Sequence, residues 1–216
     1  MNALFEFIDS MCKRYSIDES HGVKHAKGTI RKAYDILETL PDVKENERRV
    51  CLYSAALHDT CDSKYTDVEK ASAEISAWLS GEGWIQEEIK AVIAIITSMS
   101  YSKLKLTSNG GPPMYPDHGR WQRAYHVARH ADLLEGYVVA RCFLYNQQIH
   151  PGISDEDHWA AVRSLFHLRV FRYIADGWIT LPAALAMVPA LTDEAYKCLE
   201  QKSVSWPEPE IHFFLT

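Results

Sequence analysis

Apolar residues recur at helical spacing along most of this chain, and no segment alternates in the way that a half-buried β-strand requires. The pattern predicts helices over residues 3–15, 46–59, 121–148 and 154–175, and a helical tail that ends near residue 202. No flexible linker divides the sequence, so we expect a single domain over residues 1–216. The expected fold is an all-α bundle of seven to nine helices.

Local signals indicate where some of these helices begin and where the pattern is interrupted. Capping boxes of the form S/T-x-x-D/E start at Ser16, Thr66 and Ser154, and each predicts the beginning of a helix. Residues 100–120 break the helical rhythm, because the Gly and Pro residues at 110–113 cannot continue a helix. A loop of this length in a compact domain is usually functional or disordered.

The charge of the chain restricts the partners that it can bind. The formal net charge is −6, which disfavours a general nucleic-acid surface and an anionic membrane surface. We therefore expect neither a membrane partner nor a stable nucleic-acid complex. A small phosphorylated substrate would be repelled by the chain as a whole, so it would need a metal ion and local Lys or Arg side chains.

The cysteines and the hydropathy pattern bear on the compartment. The five cysteines are scattered and form no C-x-x-C pair, which is typical of reduced thiols in a cytosol-like compartment. No secretory signal precedes the first helix, and no apolar run reaches 18 residues. We expect a soluble, cytoplasmic protein, and the sequence leaves a homodimer open.

Two titratable residues stand where an apolar helix face ends. Leu52, Ala56 and Leu57 lie at helical spacing, and His58 and Asp59 follow them directly. An imidazole and a carboxylate at the mouth of a core can bind a divalent cation. Neighbouring helical residues point about 100° apart, so further ligands would have to come from other helices. The alternative is a helix terminus with a solvated Asp and a hydrogen-bonded His.

Three further residues are candidates for the same site. His21 and His25 are spaced i, i+4 and would share one face of a continuous helix, although such a pair is often simply solvated. Asp132 lies within an otherwise apolar helical segment, where a carboxylate is costly unless it is paired or binds a metal. Its alternative role is an ion pair with Arg129 or Arg141.

The order His25, His58-Asp59 and Asp132 resembles that of the HD-domain superfamily of metal-dependent phosphohydrolases. The resemblance is to the small stand-alone HD hydrolases, and it covers about residues 18–145. Residues 150–205 would then be a helical C-terminal extension of one HD-type domain.

Four segments carry this resemblance. Residues 21–25 are similar to an H-x-x-x-H start, and residues 57–65 to the segment L-H-D-x-x-D-x-K-[YF]. Residues 131–135 are similar to A-D-x-L-[DE], and residues 95–103 to a polar, lysine-containing segment between those motifs. An H-D pair alone has little weight, whereas the ordered set is specific.

The resemblance implies a fold, a cofactor and a reaction. It implies one divalent metal ion, Mn²⁺ or Mg²⁺ before Fe²⁺, Co²⁺, Ni²⁺ or Zn²⁺, bound by His25, His58, Asp59 and Asp132. The ion would activate water for hydrolysis of a nucleotide or another small phosphate ester. Asp62 is then the candidate for orienting or deprotonating the water, and Lys64 for stabilising phosphate charge. Candidate substrate-binding residues are His21, Lys103 and Arg141.

The sequence departs from the family pattern at three positions. Gly28 stands where the family often has an Arg, and Arg31, one turn later, could replace it. His130 and Leu133 stand where the family commonly has Asp and Arg. These departures leave the four ligands intact and bear on substrate choice and turnover. A catalytically degenerate HD module, which binds a nucleotide or a protein partner without turnover, is therefore the alternative function.

Structural roles also remain open for the other candidates. Asp62 could cap the helix after the H-D pair, Lys64 could pair with Asp62, and Lys103 could be a solvated loop residue. A second histidine group is interpreted as surface and substrate-side rather than as a second metal site; its members are His118, His126 and His130. The sequence contains no Walker A, G-x-G-x-x-G or G-x-S-x-G motif, so nucleotide-loop and serine-nucleophile mechanisms have no support. A helical interaction domain with coincidental histidines is the remaining alternative.

Overall fold

The chain is helical throughout in the computed structural model, which describes residues 2–109 and 111–211. Ten α-helices and no strand occur in these ranges, so the all-α prediction is confirmed and the helix count exceeds the seven to nine expected. The helices are α1 Asn2–Tyr15, α2 Val23–Leu37, α3 Glu45–Leu57, α4 Val68–Gly81, α5 Gln86–Ser98, α6 Tyr101–Thr107, α7 Gln122–Glu135, α8 Val139–Ile149, α9 Asp155–Leu168 and α10 Pro182–Gln201.

The long helix predicted over residues 121–148 is divided in two. Helix α7 ends at Glu135 and α8 begins at Val139, with Gly136, Tyr137 and Val138 between them. Glycine favours interruption because it is a poor helix former. Tyr137 is buried and donates a hydrogen bond to the carbonyl oxygen of Val170 at 3.1 Å, which holds the break against a distant segment.

The predicted loop over residues 100–120 contains helix α6. Tyr101 and Leu104, three residues apart, are both buried, so α6 has an apolar face. The Tyr101 ring packs edge-on against Trp178 at a centroid distance of 4.7 Å. A single turn of apolar spacing is too short to detect in sequence, and this tertiary contact stabilises it.

Two of the predicted capping boxes are wrong and one is confirmed. Asp18, not Ser16, caps the short 3₁₀ turn Glu19–His21 that precedes α2. Asp67, not Thr66, caps α4 and accepts two backbone N–H groups of its first turn. Ser154 caps α9 as predicted, accepting a hydrogen bond from its first turn. In both cases the cap is an aspartate that lies one or two residues after the predicted Ser or Thr.

The C-terminal third also differs from prediction at one boundary. Helix α9 ends at Leu168 rather than near residue 175, because Arg169 leaves the helical conformation and a 3₁₀ turn, Val170–Arg172, follows. Helix α10 ends where predicted, with Lys202 in the left-handed conformation. None of the described helices has both the length and the apolarity needed to cross a bilayer.

Helices α2, α3 and α7 are the centre of the structure. Helix α2 packs against α3 and α7, and α3 packs against α5. Fully buried side chains such as Ile30, Leu57 and Ala128 lie in one core shared by these helices. The five cysteines are free thiols, as expected. Because the candidate ligands lie on α2, α7 and the end of α3, this packing determines their relative positions.

Candidate metal centre

Three packed elements bring the predicted metal ligands together. His25 lies on α2 and is fully buried, and Asp132 lies on α7. The apolar run of α3 ends at Leu57, as predicted, and His58 and Asp59 begin the 3₁₀ turn His58–Cys61. The tighter 3₁₀ geometry sets both side chains at the end of the buried helix.

The ligand atoms converge on one point. Nε2 of His25 and Nε2 of His58 are 3.3 Å apart. Oδ1 of Asp132 is 3.5 Å from the first nitrogen and 3.3 Å from the second, and these three residues form a group that could hold a metal ion. Asp59 lies beside this group, with Oδ2 3.2 Å from Nε2 of His25 and 3.3 Å from Nε2 of His58.

The orientation of His58 suits a metal ligand. Its Nδ1 lies 2.9 Å from the carbonyl oxygen of Ala55, which can only accept a hydrogen bond, so Nδ1 carries the proton. Nε2 is then free to present its lone pair to the centre of the cluster. Histidine ligands of metals usually donate the proton of their other ring nitrogen to a carbonyl or carboxylate oxygen in this way.

The donor set fits a divalent cation. Oδ2 of Asp59 is buried and accepts no hydrogen bond from any described residue, although it faces two imidazole nitrogens. A buried carboxylate oxygen without a partner is costly, and a bound cation would remove that cost. Two imidazoles and two carboxylates form the mixed nitrogen and oxygen set that Mn²⁺, Fe²⁺ and similar ions accept.

Without a cation, the cluster compensates its own charges. Burial disfavours the imidazolium form of His58, but Asp59 and Asp132 outweigh it and raise the pKa of His58 well above its usual value. Burial also opposes ionisation of both carboxyls, but the His58 charge outweighs it and holds their pKa values well below the usual range. Protonated His58 thus supplies the positive charge beside the two carboxylates that a metal cation would supply when bound.

A cavity of about 440 Å³ opens onto this cluster. Asp59 and Asp132 line it, so their carboxylates are accessible to a small ligand. The same cavity is lined by every residue that the sequence proposed for catalysis or substrate binding: His21, Asp62, Lys64, Lys103 and Arg141. The structure therefore brings together all of the predicted site residues.

His21 is held by a network at the edge of the cavity. Its Nδ1 lies 3.2 Å from Oδ2 of Asp18, and Tyr65 donates its hydroxyl to the same carboxylate. Burial disfavours the charge of Asp18, but hydrogen bonds from His21, Ser20 and Tyr65 outweigh it and lower its pKa. Burial also lowers the pKa of His21, which favours the neutral ring.

The remaining predicted residues occupy the cavity walls. The ammonium group of Lys64 reaches His21 and lies 4.9 Å from the ring centroid of Tyr145. Oδ1 of Asp62 accepts the backbone N–H of Lys64 at 2.9 Å, so this carboxylate also supports the turn. Lys103 lies on α6 and not in a loop. Arg141, on α8, donates Nε to the carbonyl oxygen of Ser20 at 2.7 Å.

Comparison with known proteins identifies no relative. No protein-family model matches the chain, and neither a curated protein nor a solved structure matches it. The resemblance to HD hydrolases therefore remains a hypothesis.

Arg169 is a cavity residue that sequence reasoning missed. Its Nε donates to the hydroxyl of Tyr173 at 2.9 Å, and its guanidinium carbon lies 4.0 Å from the ring centroid of Tyr101. All three residues line the cavity. The sequence placed Arg169 inside a continuous helix, and only the break after Leu168 sends it to the site.

The second histidine group does not border the cavity. His130 is completely buried and accepts a hydrogen bond at Nε2 from the backbone N–H of Thr180 at 2.9 Å. Burial, with a smaller effect of Arg129, lowers the pKa of His130 to about 3. The expectation of a surface, substrate-side role is therefore wrong for His130, which connects α7 to the segment before α10.

Arg31 does not substitute for the arginine that Gly28 replaces. Its Nε lies 3.0 Å from Oδ1 of Asp35 on the same helix, and its Nη1 donates to the carbonyl oxygen of Glu210. Arg31 is not among the residues that line the metal-site cavity. This expectation from the sequence is wrong because α2 directs residue 31 towards the C-terminal segment.

Proposed function

We propose that this chain is a metal-dependent phosphohydrolase of the HD type, which hydrolyses a nucleotide or another small phosphate ester. One observation carries the proposal: a buried His–Asp cluster adjoins a cavity whose walls hold four basic side chains, Lys64, Lys103, Arg141 and Arg169. On a chain of net charge −6, this local concentration of positive charge favours an anionic ligand.

The metal would be held by His25, His58 and Asp132, with Asp59 as the fourth ligand. The ion proposed is Mn²⁺ or Mg²⁺, with Fe²⁺, Co²⁺, Ni²⁺ and Zn²⁺ as further candidates, because nitrogen and oxygen donors without thiolates suit all of these ions. When bound, such a cation polarises a phosphoryl oxygen and lowers the pKa of a coordinated water.

The basic residues bind and orient the phosphate. Arg141 is fixed by its hydrogen bond to Ser20, and Arg169 by Tyr173 and Tyr101, so both guanidinium groups are oriented before substrate binds. Preorganised positive groups are the main source of catalysis in phosphoryl transfer. Lys64 and Lys103 add charge from two further walls of the cavity.

The aromatic residues supply a surface for the rest of the substrate. Tyr101, Tyr145 and Tyr173 line the same cavity as the basic side chains. Aromatic rings beside basic groups suit a ligand that has both a planar ring and a phosphate. This combination supports a nucleotide as the substrate class.

Asp62 is the residue proposed to accept a proton from the attacking water. It lines the cavity with Asp59 and is half-buried. Its hydrogen bond from the Lys64 N–H uses Oδ1 and leaves Oδ2 for a water molecule. The same bond favours the second candidate function, nucleotide binding without turnover, because it gives Asp62 a structural role in the turn.

The decisive experiment measures metal and turnover together. The purified chain should contain a divalent metal and should release phosphate from at least one member of a panel of nucleotides and phosphate esters when Mn²⁺ is added. His58→Ala should remove both properties, whereas His150→Ala, which changes an exposed histidine, should remove neither. Metal content unchanged by His58→Ala contradicts the metal centre, and bound metal without any turnover favours the binding module.

A further inference from the structure

A second cavity, of about 290 Å³, shares no lining residue with the cavity of the candidate metal centre. It lies between α2, the junction of α7 and α8, α10, and residues 205–209 of the C-terminal segment. Much of its lining is apolar, including Tyr137, Val138, Leu191 and Trp206. Its volume is at the lower end for small-molecule sites, so a ligand would have to be small.

Glu135 lines this cavity and forms no ion pair within the described part of the chain. Its side chain belongs to a residue that is only 3% exposed, and it forms no hydrogen bond or ion pair with any residue that the structure describes. Burial raises its pKa, although the charges of His25, Lys32 and Arg141 oppose this. A carboxylate this deeply buried and without an ion pair is unfavourable, and a cationic group in the cavity would stabilise it.

Gly28 explains how the carboxylate comes to lie there. A Cβ atom on Gly28 would lie 2.1 Å from Oε1 and 2.4 Å from Cδ of Glu135. The carboxylate therefore occupies the space of a side chain on α2, and α2 supplies no partner at this position. Lys32, one turn further along, lines the same cavity without forming an ion pair to Glu135 in the described part of the chain.

We propose that this cavity binds a small organic cation, a primary amine or a guanidinium on a short apolar body, with Glu135 as its counter-ion. The cationic N–H groups would donate to the carboxylate, and the apolar body would pack between Trp206 and Val138. A charge-assisted hydrogen bond in a site that excludes water is stronger than its neutral equivalent.

This second cavity lies close to the candidate metal centre, but the proposed binding of a cation there does not require a bound metal. Gly28 lies three residues after His25 on α2, and Glu135 lies three residues after Asp132 on α7. Both therefore lie one helical turn from a candidate ligand. The proposal requires only the cavity and the carboxylate, so it can be tested in the chain treated with EDTA.

The test compares two probes of nearly equal shape, benzylamine and benzyl alcohol, by calorimetric or NMR titration of the EDTA-treated chain. Benzylamine should bind saturably and about tenfold more tightly than benzyl alcohol, as one charge-assisted hydrogen bond predicts. Glu135→Gln, which keeps the shape of the side chain, should reduce the affinity for benzylamine to that for benzyl alcohol. Glu194→Gln, an exposed carboxylate at the same cavity, should retain the tenfold preference.

Three results would overturn the proposal. Two of them concern the parent chain alone and do not depend on the stability of the variants. In the first, benzylamine shows no saturable binding, and in the second, both probes bind with equal affinity. The third is a preference for benzylamine that survives Glu135→Gln; its loss in Glu194→Gln would then place the cation at the rim of the cavity.

Discussion

Nζ of Lys64 lies 3.0 Å from Nε2 of His21. An ammonium group can only donate, so Nε2 accepts and the ring proton is on Nδ1, facing Asp18. Lys64, His21 and Asp18 therefore form one hydrogen-bonded chain, which holds the ammonium group of Lys64 at the cavity. Burial lowers the pKa of Lys64, although Asp59 and Asp62 oppose this effect.

Lys64→Ala should retain metal and lose most turnover. Removing one preorganised electrostatic group typically lowers kcat by about 10²–10³, and Lys64 is not a ligand. Steady-state kinetics and metal analysis on the same preparation check this result. Lys70→Ala, which changes an exposed lysine on α4, is the matched control. Turnover of Lys64→Ala at the parent rate would assign the phosphate charge to other residues.

Asp62→Asn should also retain metal while turnover falls. The amide can still accept the Lys64 N–H through its oxygen, so the turn should persist. It cannot accept a proton from water, and loss of a general base typically costs about 10²–10⁴ in rate. The measurement is kcat at saturating Mn²⁺, with circular dichroism as the check on folding. An unchanged kcat would restrict Asp62 to its role in the turn.

Divalent metal should stabilise the folded chain. Binding to the native state alone contributes about 2.7 kcal/mol when free ligand is a hundred times its Kd, which corresponds to about 5–10 °C in Tm for a chain of this size. Mn²⁺ should raise Tm and EDTA should lower it, as followed by a thermal melt. His58→Ala should melt at the same temperature under both conditions. If neither Mn²⁺ nor EDTA changes the Tm of the parent chain, the helical interaction domain becomes the favoured interpretation.

Arg169→Ala should weaken substrate binding and should have little effect on the metal content of the chain. Its guanidinium is stacked on Tyr101 and hydrogen-bonded to Tyr173, so one charged contact to substrate is lost. KM should rise about 10- to 100-fold, because hydrogen bonds to charged groups contribute about 1.5–3 kcal/mol. Arg172→Ala, which removes an exposed ion pair three residues later, should leave KM unchanged. An unaltered KM in both variants would exclude Arg169 from the substrate site.

Lowering the pH should reduce the free energy of unfolding, because buried His130 resists protonation in the folded chain. Its pKa in the folded state is about 3, below the value of about 6.5 in an unfolded chain. The unfolded state therefore binds the proton first, so the stabilising contribution is complete above pH 6.5 and is lost as the pH falls towards 3. Urea titrations at several pH values should show a loss of about 1.4 kcal/mol per pH unit from this group.

His130→Gln provides the control for that pH dependence. Its amide oxygen can accept the Thr180 N–H, and it does not titrate. The variant should show a shallower decline in the free energy of unfolding between pH 6 and 4. A decline equal to that of the parent would assign the acid sensitivity to other groups, such as His126, whose pKa burial lowers to about 4.

Local signals in the sequence indicated His58, Asp59 and Asp132, whereas the complete ligand set with His25 was implied by the resemblance to HD hydrolases. The apolar spacing that ends at Leu57 predicted a buried helix terminus, and His58 and Asp59 follow it directly. Asp132 was detectable as a carboxylate in an apolar helix. Each signal depends on periodicity within one helix, which the sequence states directly.

The features that sequence reasoning missed depend on contacts between distant segments. Arg169 enters the cavity because α9 ends early, and the Glu135 carboxylate fits against α2 because Gly28 has no side chain. The apolar face of α6 is defined by Trp178, more than seventy residues away. Such relationships have no sequence period, so a single chain without a structure does not reveal them.

The break between α7 and α8 has a geometrical consequence for the cavity. Asp132 and Arg141 are nine residues apart, and on one continuous helix a rotation of about 100° per residue would set them on opposite faces. The interruption at residues 136–138 cancels that half-turn, so both side chains line the same cavity. This three-residue segment therefore places a candidate metal ligand and a cationic side chain on the walls of one cavity.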